Sequence, residues 1–183
     1  MDNTTTARIK HRSIAVVFFN AHGLKNQINE VWTFLTDHQI DILLVQETFL
    51  KPSLRDPKIA NYRLIRNDRI GNRLGGTLIY YRSSLHVVPI DTPQLTELEA
   101  SVCRVAMTGQ QPITVAFVYL SPNKKIIKSD FEAQFNLSNS VILGGGLNSK
   151  HQVWSNNLRK NAKGDHLVKL SDYLNYIIAR SSI

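Results

Sequence analysis

Short apolar runs, each followed at once by polar residues, are the feature that most limits how this chain can fold. Residues 141–144 form such a run, and they lead into a double glycine and then Asn148, Ser149, Lys150 and His151. This pattern is typical of a buried strand that ends in a loop carrying polar groups to a surface. The sequence therefore predicts a strand over 141–144 and a loop after it. Gly146 is unexpected there, because a carboxylate would suit a polar site.

The first part of the chain predicts a strand, a helix and a second strand. Residues 13–19 are a β-rich apolar run. It ends in a turn-forming cluster, which runs from Asn20 through His22 to Gly23. Helical spacing of apolar residues begins at Ile28, and Asn26 is the predicted N-cap. The next apolar run, 42–45, ends in Gln46, Glu47 and Thr48.

Further strands and helices are predicted along the rest of the chain. Phe131 and Phe135 lie one helical turn apart and indicate a short helix. The sum predicts an α/β sandwich of two β-sheets flanked by helices. Four more strand candidates are 74–81, 85–90, 98–107 and 113–120, and the last helix carries Leu167, Leu170, Leu174, Ile177 and Ile178 on one stripe.

Length and composition limit the organisation of the protein. A chain of 183 residues is long enough for one domain, which we expect over 13–183, with a disordered basic segment over 1–12. Cys103 is the single cysteine and is expected to pack in a strand, so neither a disulfide framework nor a cysteine zinc site is indicated. The sequence shows no signal peptide or membrane-spanning run. We therefore expect a nuclear or cytoplasmic protein that is not secreted.

Basic residues are concentrated in one part of the chain. The formal net charge is +8, and the segment 51–82 alone has eight basic residues against two acidic ones. Such an excess favours a partner made of phosphates, although a role in solubility is the alternative.

Four polar side chains follow predicted strands, and we expect strand ends to converge on one face of an α/β fold. They are Asn20, Glu47, Tyr119 and Asn148. Each has a structural alternative when taken alone. Asn20 is also a common turn residue, Glu47 an exposed strand terminus, and Tyr119 a core aromatic residue.

The ordered motifs resemble the endonuclease domain of non-LTR retrotransposons, in particular the jockey-type elements of insects. The resemblance spans about residues 14–178 and places the chain beside the apurinic endonucleases, pancreatic deoxyribonuclease and inositol polyphosphate 5-phosphatases in the endonuclease/exonuclease/phosphatase family. It rests on VFFNAHGL, ILLVQETFL, RNDR with GGTLIYYR, VAFVYLSP, and GGGLNSKHQVW followed by NAKGDHLVKL.

The resemblance implies a site for Mg²⁺ or Mn²⁺ that hydrolyses phosphodiesters. It assigns Glu47 as the carboxylate on the metal. It assigns Asn20 as a second residue of the metal site, which orients the metal ligands and the scissile phosphate. Tyr119 is expected to hydrogen bond the phosphate, and Asn148 to position the attacking water. A hard divalent cation prefers oxygen ligands and neutralises charge on phosphate oxygens, which suits these side chains. His151 is interpreted as a loop or surface histidine.

The resemblance also implies partners. Target DNA is expected along the basic segment, a reverse transcriptase domain is expected in full-length relatives, and the domain is expected to be a monomer without membrane contact. Arg66 and Arg69 also look like part of the linker into the GGT strand and are not expected to be catalytic. The predicted DNA contacts are Lys51, Arg66, Arg69, Arg73 and Lys150.

Two departures from the family pattern predict an inactive, C-terminally truncated domain. The family loop reads Gly-Asp-x-Asn, whereas this chain has Gly146 in place of the aspartate. The family's closing Ser-Asp-His is absent from the sequence, and loss of the final strands is expected to leave an exposed sheet edge. A non-catalytic DNA-binding remnant and a phosphatase of the same family are the alternative functions.

Overall fold

Two four-stranded sheets form the centre of the protein. The computed structural model describes residues 13–71, 74–106, 109–155 and 159–179. The predicted segment 1–12 lies outside the described residues. The strands are β1 (Val16–Asn20), β2 (Ile42–Gln46), β3 (Tyr62–Asn67), β4 (Thr77–Arg82), β5 (His86–Ile90), β6 (Glu99–Ala106), β7 (Ile113–Tyr119) and β8 (Val141–Gly146); the helices are α1 (Ile28–Asp37), α2 (Lys128–Phe135) and α3 (Ala162–Leu174).

Each sheet contains one parallel pair, and these pairs set the location of the predicted site. The first sheet has the order β1-β2-β4-β3 and the second β5-β6-β7-β8, with β1 parallel to β2 and β7 parallel to β8. Asn20 lies opposite Gln46 in the first pair, and Tyr119 lies opposite Gly146 in the second. The carboxyl ends of all four strands therefore carry the polar residues that the sequence singled out.

The two sheets pack face to face, with helices on both outer faces. Leu44 and Ile79 of the first sheet pack against Cys103 and Phe117 of the second. Helix α1 covers the outer face of the first sheet, whereas α2 and α3 cover the second. Burial of these apolar faces is the main favourable contribution to folding. The predicted sandwich of two sheets flanked by helices is confirmed, and Cys103 is fully buried within β6.

Several local predictions were wrong. Strand β3 was not predicted, because Arg63 and Arg66 interrupt the apolar pattern of YRLIRN. Asn26 belongs to a 3₁₀ turn, and Gln27 occupies the N-cap of α1. Helix α3 ends at Leu174 because Asn175 adopts a left-handed conformation, which leaves Ile177 95% exposed instead of on the helical stripe.

One side of the sandwich ends in strands β1 and β8, each of which has a strand neighbour on one side only among the described residues. The two edges are in contact, since the Phe18 ring lies over Gly144. Val16, Phe18 and Ile142 remain well exposed along this side. None of the helices in the described ranges is long and apolar enough to cross a membrane.

Candidate active site

Backbone pairing between β1 and β2 continues beyond both strands and builds the centre of the site. The amide of Ala21 donates to the Gln46 carbonyl (3.0 Å), and the amide of Gly23 donates to the Glu47 carbonyl (2.9 Å). Leu24 continues the series with Thr48 (3.0 Å). The turn after β1 is therefore fixed beside Glu47 by main-chain bonds, independently of any side chain.

The Glu47 carboxylate has a polar partner at each of its two oxygens. Asn20 Nδ2 donates to Oε1 at 3.0 Å, and His22 Nδ1 lies 3.2 Å from Oε2. Partial burial raises the pKa of Glu47, but its hydrogen bonds with His22, Asn20 and Tyr119 outweigh burial and hold that pKa below the usual value. The side chain is therefore ionised at neutral pH and is an oxygen donor for a cation.

Glu47 has a backbone conformation that a glutamate rarely adopts. Its φ is +52°, and His22 (+41°) and Phe49 (+53°) are also left-handed. Each non-glycine residue in this region costs on the order of 1 kcal/mol or more, and such residues cluster at functional sites. The pairing of the two loops holds these conformations in place.

Asn20 orients the carboxylate. Its Oδ1 accepts a hydrogen bond from the His22 amide at 3.1 Å, so the amide group must direct its nitrogen to Glu47. Asn20 therefore fixes the direction of the Glu47 carboxylate. Its Oδ1 has a second lone pair, and its role at a metal stays a prediction.

Tyr119 reaches Glu47 from the second sheet. The residue is 5% exposed, and burial together with its hydrogen bond to the Glu47 carboxylate raises the pKa of the phenol. The hydroxyl is therefore protonated at neutral pH and able to donate. The Arg69 guanidinium lies 5.8 Å from the centroid of the Tyr119 ring. Both sheets thus contribute side chains to one site.

The three glycines at the end of β8 differ in the space around them. A Cβ on Gly144 would lie 1.9 Å from the Phe18 ring, and one on Gly145 would lie 1.7 Å from the Val118 carbonyl oxygen. Gly145 also has a φ of +146°. The three atoms nearest to a Cβ on Gly146 all belong to the end of the Gln46 side chain, and its amide nitrogen and oxygen would lie 2.3 Å away. Gly146 is therefore the one position of the three that can accept a side chain if a flexible neighbour moves.

Asn148 lies in a loop that the start of α3 holds in place. Asn148 has a φ of +50°, and its Nδ2 donates to the Leu120 carbonyl at 2.8 Å. Asn161, the N-cap of α3, accepts from the Lys150 amide and donates to the Asn148 carbonyl, each at 3.0 Å. The first turn of α3 also approaches so closely that a Cβ on Gly164 would lie 2.0 Å from the Lys150 carbonyl oxygen.

His151 is part of the fold of this loop. Its Nδ1 accepts from the Val153 amide at 3.2 Å, its Nε2 lies 3.5 Å from Asp165, and its ring packs against Trp154. These contacts favour the loop role that was predicted for it.

Sequence reasoning missed two residues at the site. His22 was interpreted only as part of a turn, and Gln46 only as the residue after a strand. The sequence signal for His22 is its place two residues after Asn20, because a parallel partner strand then brings it beside Glu47. The contact of Gln46 with Gly146 joins two sheets, and no local pattern signals it.

Comparison with known proteins identifies the family. The family model described as "Endonuclease/Exonuclease/phosphatase family" matches residues 17–182. The chain belongs to the endonuclease/exonuclease/phosphatase family.

Similar members of this family include proteins from mobile elements. The chain is 34% identical over 146 residues to the "RNA-directed DNA polymerase from mobile element jockey" of Drosophila melanogaster, a match that covers 79% of this chain and 16% of that protein. It is 30% identical over 166 residues to the "Probable RNA-directed DNA polymerase from transposon X-element" of the same organism, covering 86% of this chain and 17% of that protein. The chain thus spans about a sixth of the length of these relatives.

Solved structures of the endonuclease/exonuclease/phosphatase type share the fold. The "Endonuclease domain of TRAS1, a telomere-specific non-LTR retrotransposon" superimposes with a TM-score of 0.72 at 20% identity, covering 92% of this chain and 76% of that one. The AP endonuclease LMAP of Leishmania major gives a TM-score of 0.64 at 14% identity, covering 87% and 66%.

The donor set fits the divalent cation that the family implies. No group of three or more His, Cys, Asp or Glu side chains able to hold a metal occurs among the described residues. Mg²⁺ does not require one, since it usually binds through one or two carboxylates and completes its shell with water and substrate phosphate. The ionised and partly exposed Glu47 carboxylate meets that requirement.

The predicted DNA contacts in this family member differ in availability. The Arg66 side chain is only 13% exposed, and its guanidinium bonds Asp56, Asp68 and the Lys51 and Leu54 carbonyls. Arg69 is bound by Glu99 and Ser121. These contacts favour structural roles for both arginines.

Lys51 and Lys150 are exposed, and Arg73 lies outside the described residues. Their predicted contacts with DNA are not tested by the structure.

The space around Gly145 and Gly146 predicts losses of stability that differ in size for substitutions at these two positions. Gly145→Ala is expected to lower the free energy of unfolding by about 3 kcal/mol, because its Cβ meets fixed backbone at a strained φ. Gly146→Ala is expected to lower it by about 1 kcal/mol or less, because only the Gln46 side chain must move. Urea unfolding of both variants measures the difference. An equal decrease in the free energy of unfolding for both variants would show that the Gln46 side chain does not move aside.

Proposed function

We propose that this chain is, by descent, the endonuclease domain of a non-LTR retrotransposon, which binds duplex DNA and uses a divalent cation to hydrolyse a phosphodiester bond. We further propose that its hydrolytic activity is lost or strongly weakened. The supporting observation is the ionised Glu47 carboxylate, held by Asn20, His22 and Tyr119. The similarity to the jockey and X-element proteins supports the retrotransposon origin.

The side chains have distinct roles in this proposal. Glu47 holds the cation, and Asn20 fixes the direction of the carboxylate. Tyr119 donates its phenolic proton in a hydrogen bond to a phosphate oxygen, and Asn148 orients the water that attacks phosphorus. A bound cation supplies positive charge for the oxygens on which negative charge develops during hydrolysis.

The weakening follows from the residue at 146. In the family this position carries an aspartate that activates the water, and here it has no side chain. Loss of a positioned general acid or base typically costs about 10²- to 10⁴-fold in rate. The Gln46 carboxamide occupies the adjacent space, and an amide is not basic enough to accept the proton.

Incubation with supercoiled plasmid and Mg²⁺ tests the proposed loss of activity. The chain is expected to give no nicking above a Glu47→Gln control, because Gly146 has no side chain to accept the proton of the attacking water. Gel electrophoresis with and without EDTA measures the nicked fraction. Clear EDTA-sensitive nicking by the unaltered chain would refute the loss of hydrolysis. Nicking by the Gly146→Asp variant alone would show that the missing carboxylate at position 146 accounts for the loss.

A DNA-binding remnant without catalysis is the second candidate. The exposed side chains of Lys51, Lys58, Arg63 and Lys150 favour it, because they are available to phosphates whereas Arg66 and Arg69 are not. Binding of this kind depends on phosphate charge and weakens steeply with salt.

A salt titration of duplex binding tests this candidate. Lys51→Ala and Lys150→Ala are each expected to reduce the slope of log affinity against log salt by about 1 if the lysine contacts phosphate. Lys128→Ala is the matched control, because Lys128 on α2 pairs with Glu132. Fluorescence anisotropy of a labelled duplex measures the affinities. Absence of binding even at low salt would rule out the remnant.

A further inference from the structure

The His22 imidazole lies beside the oxygen of Glu47 that Asn20 does not use. Its Nδ1 is 3.2 Å from Glu47 Oε2, whereas Asn20 donates to Oε1. The hydrogen bond between the Gly23 amide and the Glu47 carbonyl fixes the two backbones at this point. The backbone at His22 is thus held beside Glu47 by main-chain hydrogen bonds.

The imidazole ring is also positioned by an aromatic neighbour. The edge of the Phe49 ring meets it with centroids 5.2 Å apart and an interplanar angle of 66°. His22, Glu47 and Phe49 all have positive φ values, so the three residues share a left-handed backbone conformation. The His22 side chain is nevertheless 81% exposed, so a cation reaches it from solvent without opening the structure.

The separation of the two donor atoms matches the spacing of ligands on one cation. Two ligands about 2.1 Å from an octahedral ion and at right angles to each other lie about 3.0 Å apart. The observed separation of 3.2 Å differs little from this value. One cation can therefore contact Glu47 Oε2 and His22 Nδ1 together after a small movement of the side chains.

We propose that His22 is a second protein ligand of the cation held by Glu47, and that it shifts the preference of the site from Mg²⁺ towards Mn²⁺. This inference rests on the proposed function, since it requires a cation at Glu47. Mg²⁺ strongly prefers oxygen ligands, whereas an imidazole nitrogen suits first-row transition metals. The neutral ring offers the lone pair of Nδ1 to the ion, and its Nε2 keeps the proton.

A different role for His22 predicts the opposite result. If Nδ1 keeps its proton and donates to Glu47, the histidine competes with a cation for the carboxylate. Removal of the ring would then strengthen the binding of both ions. The direction of the change in affinity therefore separates a ligand from a competitor.

Isothermal titration calorimetry with MnCl₂ and with MgCl₂ tests the proposal without any measurement of activity. His22→Ala is expected to weaken Mn²⁺ binding by about tenfold and Mg²⁺ binding by less than about threefold. His22→Asn is a second variant that tolerates the left-handed backbone, and it too is expected to lose the preference for Mn²⁺. His38→Ala is the matched control. His38 is an exposed histidine at the end of α1, and its ring packs against Phe34.

The outcomes separate this inference from the proposed function. Equal changes for the two ions in the His22 variants, no change, or tighter binding would overturn the role of His22 as a ligand. Glu47→Gln is expected to abolish binding of both ions. If Glu47→Gln leaves both affinities unaltered, the cation site itself is absent, and the proposed function fails with it.

Discussion

The pairing of the main chain beyond strands β1 and β2 is the constraint on which the site depends. Three hydrogen bonds from residues 21, 23 and 24 to residues 46–48 hold two loops side by side. They keep Glu47 and His22 in left-handed conformations that neither residue favours alone. The carboxylate is consequently presented to Asn20 and His22 before any ligand arrives, and little reorganisation is required for a cation to bind.

The second sheet completes the site through a close approach at the ends of β7 and β8. Gly144 and Gly145 let the Phe18 ring and the Val118 carbonyl come nearer than any side chain would allow. Gly146 is different, because the volume of its missing side chain is partly taken by Gln46. The glycine run thus combines two positions needed for packing with one position where the family carries catalytic chemistry. Under the proposed function, the chain keeps its fold and the Glu47 carboxylate but has no side chain at position 146 to activate a water.

The sequence predicted most of the fold because seven of the eight strands are apolar runs with clear ends. It missed β3, whose Arg66 binds acidic side chains and carbonyls of the preceding connection instead of projecting into solvent. Asn20, Glu47 and Tyr119 were predicted, and the structure brings them together. The roles of His22 and Gln46 were not predictable, since each depends on contact between segments distant in sequence.

The central claim is that the chain binds a divalent cation where the two sheets meet at Glu47. NMR line broadening by substoichiometric Mn²⁺ tests it most directly, because the effect falls steeply with distance from the ion. The account predicts that amide signals of residues 20–23, 46–48, 119 and 146 broaden first, while those of residues 86–88 and 90 in β5 stay sharp. Broadening centred on another part of the chain, or spread evenly over its acidic residues, would contradict it.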